Sequence, residues 1–199
     1  VKLYSYMHKA FTDYKVYLKP NSLYGSTSLG EGQYYITNYV DEIQSTFNSE
    51  FKGEGPAVIK GYYEISAVVE GYTIADKKQI SIWKKKFALV PKTEFAVNDG
   101  ILSLKEDVNI KLEEYNAFAG VIMEESKVQT PLRLNVYMDV SLRADTDKGL
   151  IEVKKTPEIT IPLDAKYFMI AESDEKEVPG SIEETQKIQL PTDKQKVRI

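Results

Sequence analysis

Apolar and polar positions alternate most strictly at 131–143, where Leu132, Leu134, Val136, Met138, Val140 and Leu142 hold one parity and Arg133, Asn135, Tyr137, Asp139, Ser141 and Arg143 the other. Period two sends successive side chains to opposite faces of a pleated strand, so the stretch predicts a long, half-buried antiparallel strand. Asp145-Thr146-Asp147-Lys148-Gly149 then supplies turn formers with a glycine placed for positive φ, and Leu150 to Lys154 resumes the pattern, which together predict a hairpin. After Pro157, Ile159, Ile161 and Leu163 alternate again, and Tyr167 to Ile170 makes a further short strand, so this half reads as a β-meander.

The N-terminal half has the same habit. Tyr14, Val16 and Leu18 precede Pro20; Ile43, Ser45, Phe47, Ser49 and Phe51 precede Gly53; Tyr63, Ile65, Ala67 and Val69 precede Gly71. Ile80 and Ile82 sit on one parity but Trp83, Phe87 and Leu89 on the other, which requires a bulge between them. One stretch departs from period two: between Glu113 and Glu125, Tyr115, Phe118, Ala119 and Ile122 recur at three and four, as on one face of a helix.

The fold class that follows is mainly β, an antiparallel β-sandwich of one elongated or two small lobes with one short helix near 113–125. If there are two lobes, the boundary falls between Pro91 and Gly100. The division is then an N-terminal β-sandwich lobe at 1–95, a β lobe with the helix at 96–171, and an acidic polar segment at 172–199 ending in a short strand or stalk. The acids at 172–184 read as a solvated loop or stalk.

Composition narrows the function classes. In 199 residues, 26 Lys and Arg face 30 Asp and Glu for a formal charge of -4, against a sequence-independent grip on nucleic acid. No cysteine means no disulfide, thiolate nucleophile or Cys-based zinc site. No apolar run approaches the roughly 20 residues that a membrane-spanning helix needs. Val1 at one end and the strand-like Val197-Arg198-Ile199 at the other read as cuts in a longer chain, from which a signal peptide or anchor was removed.

Candidate chemistry is sparse. His8 is the only histidine, so no multi-imidazole metal centre can form, and a Ser-His-Asp triad would have to recruit it from an N-terminal arm; it reads as an ordinary surface residue. Asp139, on the outward parity of the best strand, reads as solvated. Asp145-Thr146-Asp147-Lys148-Gly149 resembles the start of a calcium loop, but Gly149 stands where a third oxygen ligand is needed, so a hairpin turn is the better reading. Trp83-Lys84-Lys85-Lys86-Phe87 interleaves aromatics and bases as a single-strand nucleic-acid platform does, yet it also describes an edge strand guarded by lysines. Gly30-Glu31-Gly32 and Gly53-Glu54-Gly55 lack the Gly-Lys-Ser/Thr ending of a phosphate cradle.

The 14 Tyr dominate the 22 aromatics and include the doublets Tyr34-Tyr35 and Tyr62-Tyr63, in which a strand would turn one ring to the core and one to solvent. Exposed tyrosines are common adhesives in protein and sugar recognition, which makes Tyr34, Tyr62, Tyr137 and Trp83 the candidate binding surface.

Tyr14-Lys15-Val16-Tyr17-Leu18-Lys19-Pro20-Asn21-Ser22-Leu23-Tyr24, with Gly61-Tyr62-Tyr63, Trp83 and Ile159-Thr160-Ile161-Pro162-Leu163, resembles domain-of-unknown-function family 5305 of bacteria and archaea over about residues 12 to 170. The resemblance implies a membrane protein whose outward-facing β domain lies between an N-terminal and a C-terminal membrane helix, with signal peptidases as a possible partner class. It brings no catalytic residues.

The expectation is a non-enzymatic extracytoplasmic binding or scaffolding module, membrane-anchored at the cell surface through segments outside this chain. It needs no cofactor or metal, and its partner is another envelope protein or a glycan, not nucleic acid. The alternatives are a carbohydrate-binding module, which needs a planar strip of exposed aromatics, and a two-carboxylate glycan-acting enzyme, which needs a deep cleft with two facing acids beside an aromatic.

Overall fold

A computed structural model of the chain describes residues 1–173 and 176–184. Period-two patterning produces strands almost throughout: β1 (Lys2–Leu18), β2 (Ser28–Leu29), β3 (Tyr35–Ile36), β4 (Val40–Gly53), β5 (Val58–Ala75), β6 (Lys78–Val97) and β7 (Ile101–Ile110). The helix α1 (Leu112–Ser126) follows, and then β8 (Leu132–Thr146), β9 (Gly149–Lys155), β10 (Glu158–Leu163), β11 (Tyr167–Phe168), β12 (Ala171–Glu172) and β13 (Lys176–Glu183).

The strands form two antiparallel sheets that face each other as a sandwich. The first has the order β13-β1-β4-β7 with β2 on the flank of β1; the second has the order β12-β10-β8-β5-β6 with β9 also on β8. A separate two-stranded ribbon pairs β11 with β3. Each sheet draws strands from both sides of the 95/96 boundary, since β4 pairs with β7 and β5 with β8. That boundary therefore separates neither the sheets nor the larger hydrophobic cluster, which holds Ile43, Phe47, Ile65, Val69, Leu134 and Met138 together. A smaller cluster around Tyr4, Phe51, Ile59, Leu102 and Leu142 closes the opposite pole.

Local detail follows the sequence pattern closely in places. Gly71 faces Trp83 and Tyr72 faces Ser81, so Ile82 is the extra residue that switches the parity of β6. Asp147 and Lys148 close a two-residue turn between Thr146 and Gly149, whose φ of 139° only glycine adopts easily. Helix α1 turns Tyr115 and Phe118 toward Phe87 of β6, at ring-centroid distances of 5.9 and 5.2 Å, and buries Ala119. Its first turn carries Glu113 and Glu114, which suit the positive end of the helix dipole, and it ends at Lys127 in the left-handed region.

Three expectations are corrected. Strands β9 and β10 do not fold back on one another: Lys155 faces Val140 and Glu158 faces Tyr137, so both lie along one edge of β8 as a single interrupted strand. Pro157 marks the interruption, and its carbonyl accepts the Met138 N–H at 3.0 Å. The acidic stretch 176–183 is a strand rather than a solvated loop or stalk, because β1 presents an open edge that needs hydrogen-bond partners; Ile182 packs on the smaller cluster, and Gly180 leaves room for the Tyr6 ring. The strand-like Val197-Arg198-Ile199 lies outside the described residues.

The third correction concerns His8. It is no surface residue on an N-terminal arm but a residue of β1 with 2% exposure, on the inward parity opposite Phe51. Its Nε2 lies 3.2 Å from Ser49 Oγ, and its Nδ1 is buried with no hydrogen-bond partner. Burial, helped by the charge of Lys155, lowers the imidazole pKa to about 4. Nearby on β1, Thr12 donates to the Glu172 carboxylate at 2.5 Å and so ties the first sheet to the edge of the second.

Candidate functional site

Among several surface concavities of the described residues, one polar groove lies on the outward face of the second sheet, floored by four of its strands. Strand register sets its floor: Arg133 faces Glu70, and Glu70 faces Lys84; Asn135 lies between Thr160 and Val68, and Val68 faces Lys86; Tyr137 lies between Glu158 and Ser66. Short side chains in the middle rows, with long ones around them, leave a groove of about 620 Å³ lined by Val68, Glu70, Lys84, Lys86, Asn135, Tyr137, Thr156 and Glu158.

Glu70 is a buried carboxylate, and its Oε1 accepts from Arg133 Nη2 at 2.6 Å and from Nε at 3.0 Å. Arg133 also donates to Gln79 and stacks 4.6 Å above the Tyr72 ring, so the guanidinium is held on three sides. Thr160 donates to Asn135 Oδ1 at 3.0 Å, which fixes the amide with its NH₂ end unspent by that bond. Burial pushes the Glu158 carboxyl above the usual carboxylate range; Arg133 opposes that rise and Glu70 adds to it. Lys84 and Lys86 make no ion pair among the described residues.

The four candidate aromatics do not share one surface. Tyr137 borders the groove, half-buried. Tyr62 is on the same outward face, but it faces Ser141 rather than lying near Ser66, about 13 Å further along β5, and Lys92 Nζ sits 4.1 Å above its ring. Trp83 points the other way, toward the core, where it lies against Gly71. Tyr34 lies just before β3, 61% exposed and edge-on to Tyr167 of β11 at 5.7 Å. Within the doublets, Tyr35 and Tyr63 are the buried members, and the Tyr63 hydroxyl donates to Glu106 at 2.5 Å.

Glu70, Arg133, Asn135 and Glu158 were not singled out by sequence. The outward parity of Arg133, Asn135 and Tyr137 on β8 is visible there, but which residues of β5, β6 and β10 stand beside them depends on pairing between distant segments. Asp139 accepts from Thr156 at 3.1 Å beside the groove. Among the described residues no group of three His, Cys, Asp or Glu could hold a metal ion, and no helix is long and apolar enough to cross a membrane.

The architecture is that of an antiparallel β-sandwich with an outward polar groove. The chain belongs to the Family of unknown function (DUF5305), whose model matches residues 83–199. The matched segment starts within β6 and supplies strands to both sheets, while β1, β4 and β5 lie before it. No curated protein and no solved structure matches the chain significantly.

Proposed function

We propose that the chain is a non-enzymatic binding module of a membrane-anchored protein, working outside the cytoplasm and engaging another macromolecule. The observation that carries this reading is the polarity of the sandwich. Strands β1 and β13 run side by side, Lys2 facing Glu183 and Glu184 N–H donating to Val1 O at 3.2 Å, so both leave at the pole of the smaller cluster. The opposite pole carries α1, the β3–β11 ribbon with exposed Tyr34, Ile36, Tyr167 and Met169, and the far end of the β5–β6 hairpin. That hairpin end runs past β8, whose pairing stops at Leu132 opposite Gly71, and it exposes Ile74, Ile80 and Ile82. A module held at one pole and apolar at the other suits presentation of a contact surface away from its anchors.

The absence of cysteine gives a direct test. In cells making the full-length protein, Val121→Cys, on the exposed side of α1, should react with a membrane-impermeant maleimide without lysis. Labelling only after lysis would sink the extracytoplasmic reading. A photo-crosslinking residue at Ile74 should then capture a partner that the same residue at Ile101, near the other pole, does not.

A second reading, a two-carboxylate enzyme acting on glycans, is favoured by one observation: Glu158, with its raised pKa and Tyr137 beside it, shares the groove with the ion-paired Glu70. Against it, Arg133 occupies Glu70 Oε1, and the groove is an open sheet face rather than a deep cleft. We expect no glycan turnover; turnover abolished by Glu158→Gln would reverse this order.

A further inference from the structure

The groove on the outward face of the second sheet adds a second contact region, apart from the apolar pole, and its reading rests on the binding function proposed above. Three features restrict what fits. The groove lies on the face of a sheet, with the edge strand β6 as one wall, and that face has no free ladder of N–H and C=O groups, so a peptide lying in the groove cannot add as a strand. Its lining mixes donors and acceptors at close spacing: the Asn135 NH₂, the Thr156 oxygen and the Glu158 carboxyl, with the Tyr137 ring beside them and Thr160 in the adjoining hollow that Asn135 and Glu158 also line. Hydroxyl groups, which donate and accept at once, match such a mixture, and an aromatic face beside them receives the C–H side of a sugar ring.

The third feature is charge. Arg133 and Glu70 neutralise each other, whereas Lys84 and Lys86 project side by side from alternate positions of β6 along one wall, with no anionic partner among the described residues. With Glu70 neutralised by Arg133, two lysines and the one further acid, Glu158, match an occasional anionic group rather than the dense charge of a polyphosphate chain. A ligand with occasional carboxylates and many hydroxyls satisfies both walls.

We propose that this groove binds an acidic saccharide chain, with one sugar ring against Tyr137, its hydroxyls on Asn135, Thr160 and Glu158, and a uronate carboxylate between Lys84 and Lys86. The volume, about 620 Å³, lies in the range of small-ligand sites and admits a short oligosaccharide.

The test uses the whole 199-residue chain and calorimetric titration with a galacturonic acid tetramer, a neutral galactose tetramer and inorganic polyphosphate. The acidic tetramer should bind, Tyr137→Ala should weaken it about tenfold, and the pair Lys84→Gln with Lys86→Gln should weaken it by a similar factor. Lys154→Gln, on the same face but outside the groove, should leave binding unchanged, and thermal melts of each variant establish that it folds. No binding of the acidic tetramer, binding that ignores Tyr137, or equal displacement by polyphosphate would each overturn the proposal. A negative titration beside positive labelling in intact cells removes only the saccharide ligand, whereas labelling confined to lysed cells removes the envelope reading and leaves the titration to stand on its own.

Discussion

His8 Nε2 and Ser49 Oγ meet 3.2 Å apart between β1 and β4, with the imidazole sealed inside the sandwich and its Nδ1 unpaired. A buried neutral imidazole links folding to pH. The unfolded chain binds the proton near pH 6.5 and the folded one only near pH 4, so the unfolded state holds more protons in that window. Stability is therefore full above the unfolded value and falls as pH drops toward about 4. Denaturant unfolding between pH 7 and pH 4 should show a loss of up to about 3 kcal/mol assignable to this residue, and His8→Gln should flatten the profile across the window. An equally steep profile in the variant would assign the loss to other groups.

Gly71 matters through Trp83. A Cβ on Gly71 would stand 2.3 Å from the indole Nε1, 2.7 Å from Cε2 and 2.8 Å from Thr130 Oγ1, and a rigid indole cannot yield as a flexible chain end can. Gly71→Ala should cost about 1–3 kcal/mol, the range for overpacking. As Trp83 is the only tryptophan, its fluorescence should shift in the folded variant as the ring is displaced.

The Glu70–Arg133 pair is mostly buried, with side-chain exposures of 11% and 23%. Arg133→Met leaves the Glu70 carboxylate without its counter-charge and should destabilise by about 3 kcal/mol, in keeping with broken buried pairs. The double change with Glu70→Leu should recover most of that loss, since two apolar side chains leave no stranded charge. Chemical denaturation of the two variants checks the difference, and a double variant no better than the single one would contradict it.

β6 is a 20-residue edge strand of the second sheet, and long edges invite pairing between molecules. Lys84, Lys85 and Lys86, the parity switch at Ile82 and the N–H-less Pro91 all lie on it. Replacing the three lysines with Thr should leave the sandwich folded but promote self-association, read as larger species in size-exclusion chromatography and light scattering. A triple variant that stays at the size of the parent would show that the bulge and proline suffice.

Much of the fold was legible because the information is local. Alternation from Leu132 to Leu142 marks β8, the three-and-four spacing of Tyr115, Phe118 and Ala119 marks α1, and the clash of parity between Ile82 and Trp83 marks the bulge. The groove was only half legible. Tyr137 could be placed on the outward face of its strand, but its neighbours Glu158 and Ser66 lie at other points of the sequence and meet it only through pairing. Trp83 shows the same limit from the other side: its parity is readable, yet that its face is the inward one, against Gly71, depends on the partner strand.

By itself the sequence determined most of the strand segments, though not β13, as well as where the helix lies and that each tyrosine doublet splits between two faces, since these depend on the spacing of side chains along one backbone. The tertiary structure alone decided that β1 takes β13 as a neighbour, that His8 is interior, and that Glu70, Asn135 and Glu158 line one groove with Arg133 paired to Glu70 beside it. The reason is physical: hydrogen-bonded ladders join residues distant in sequence, and a one-residue change of register would have exchanged the inward and outward sets without altering a single local pattern.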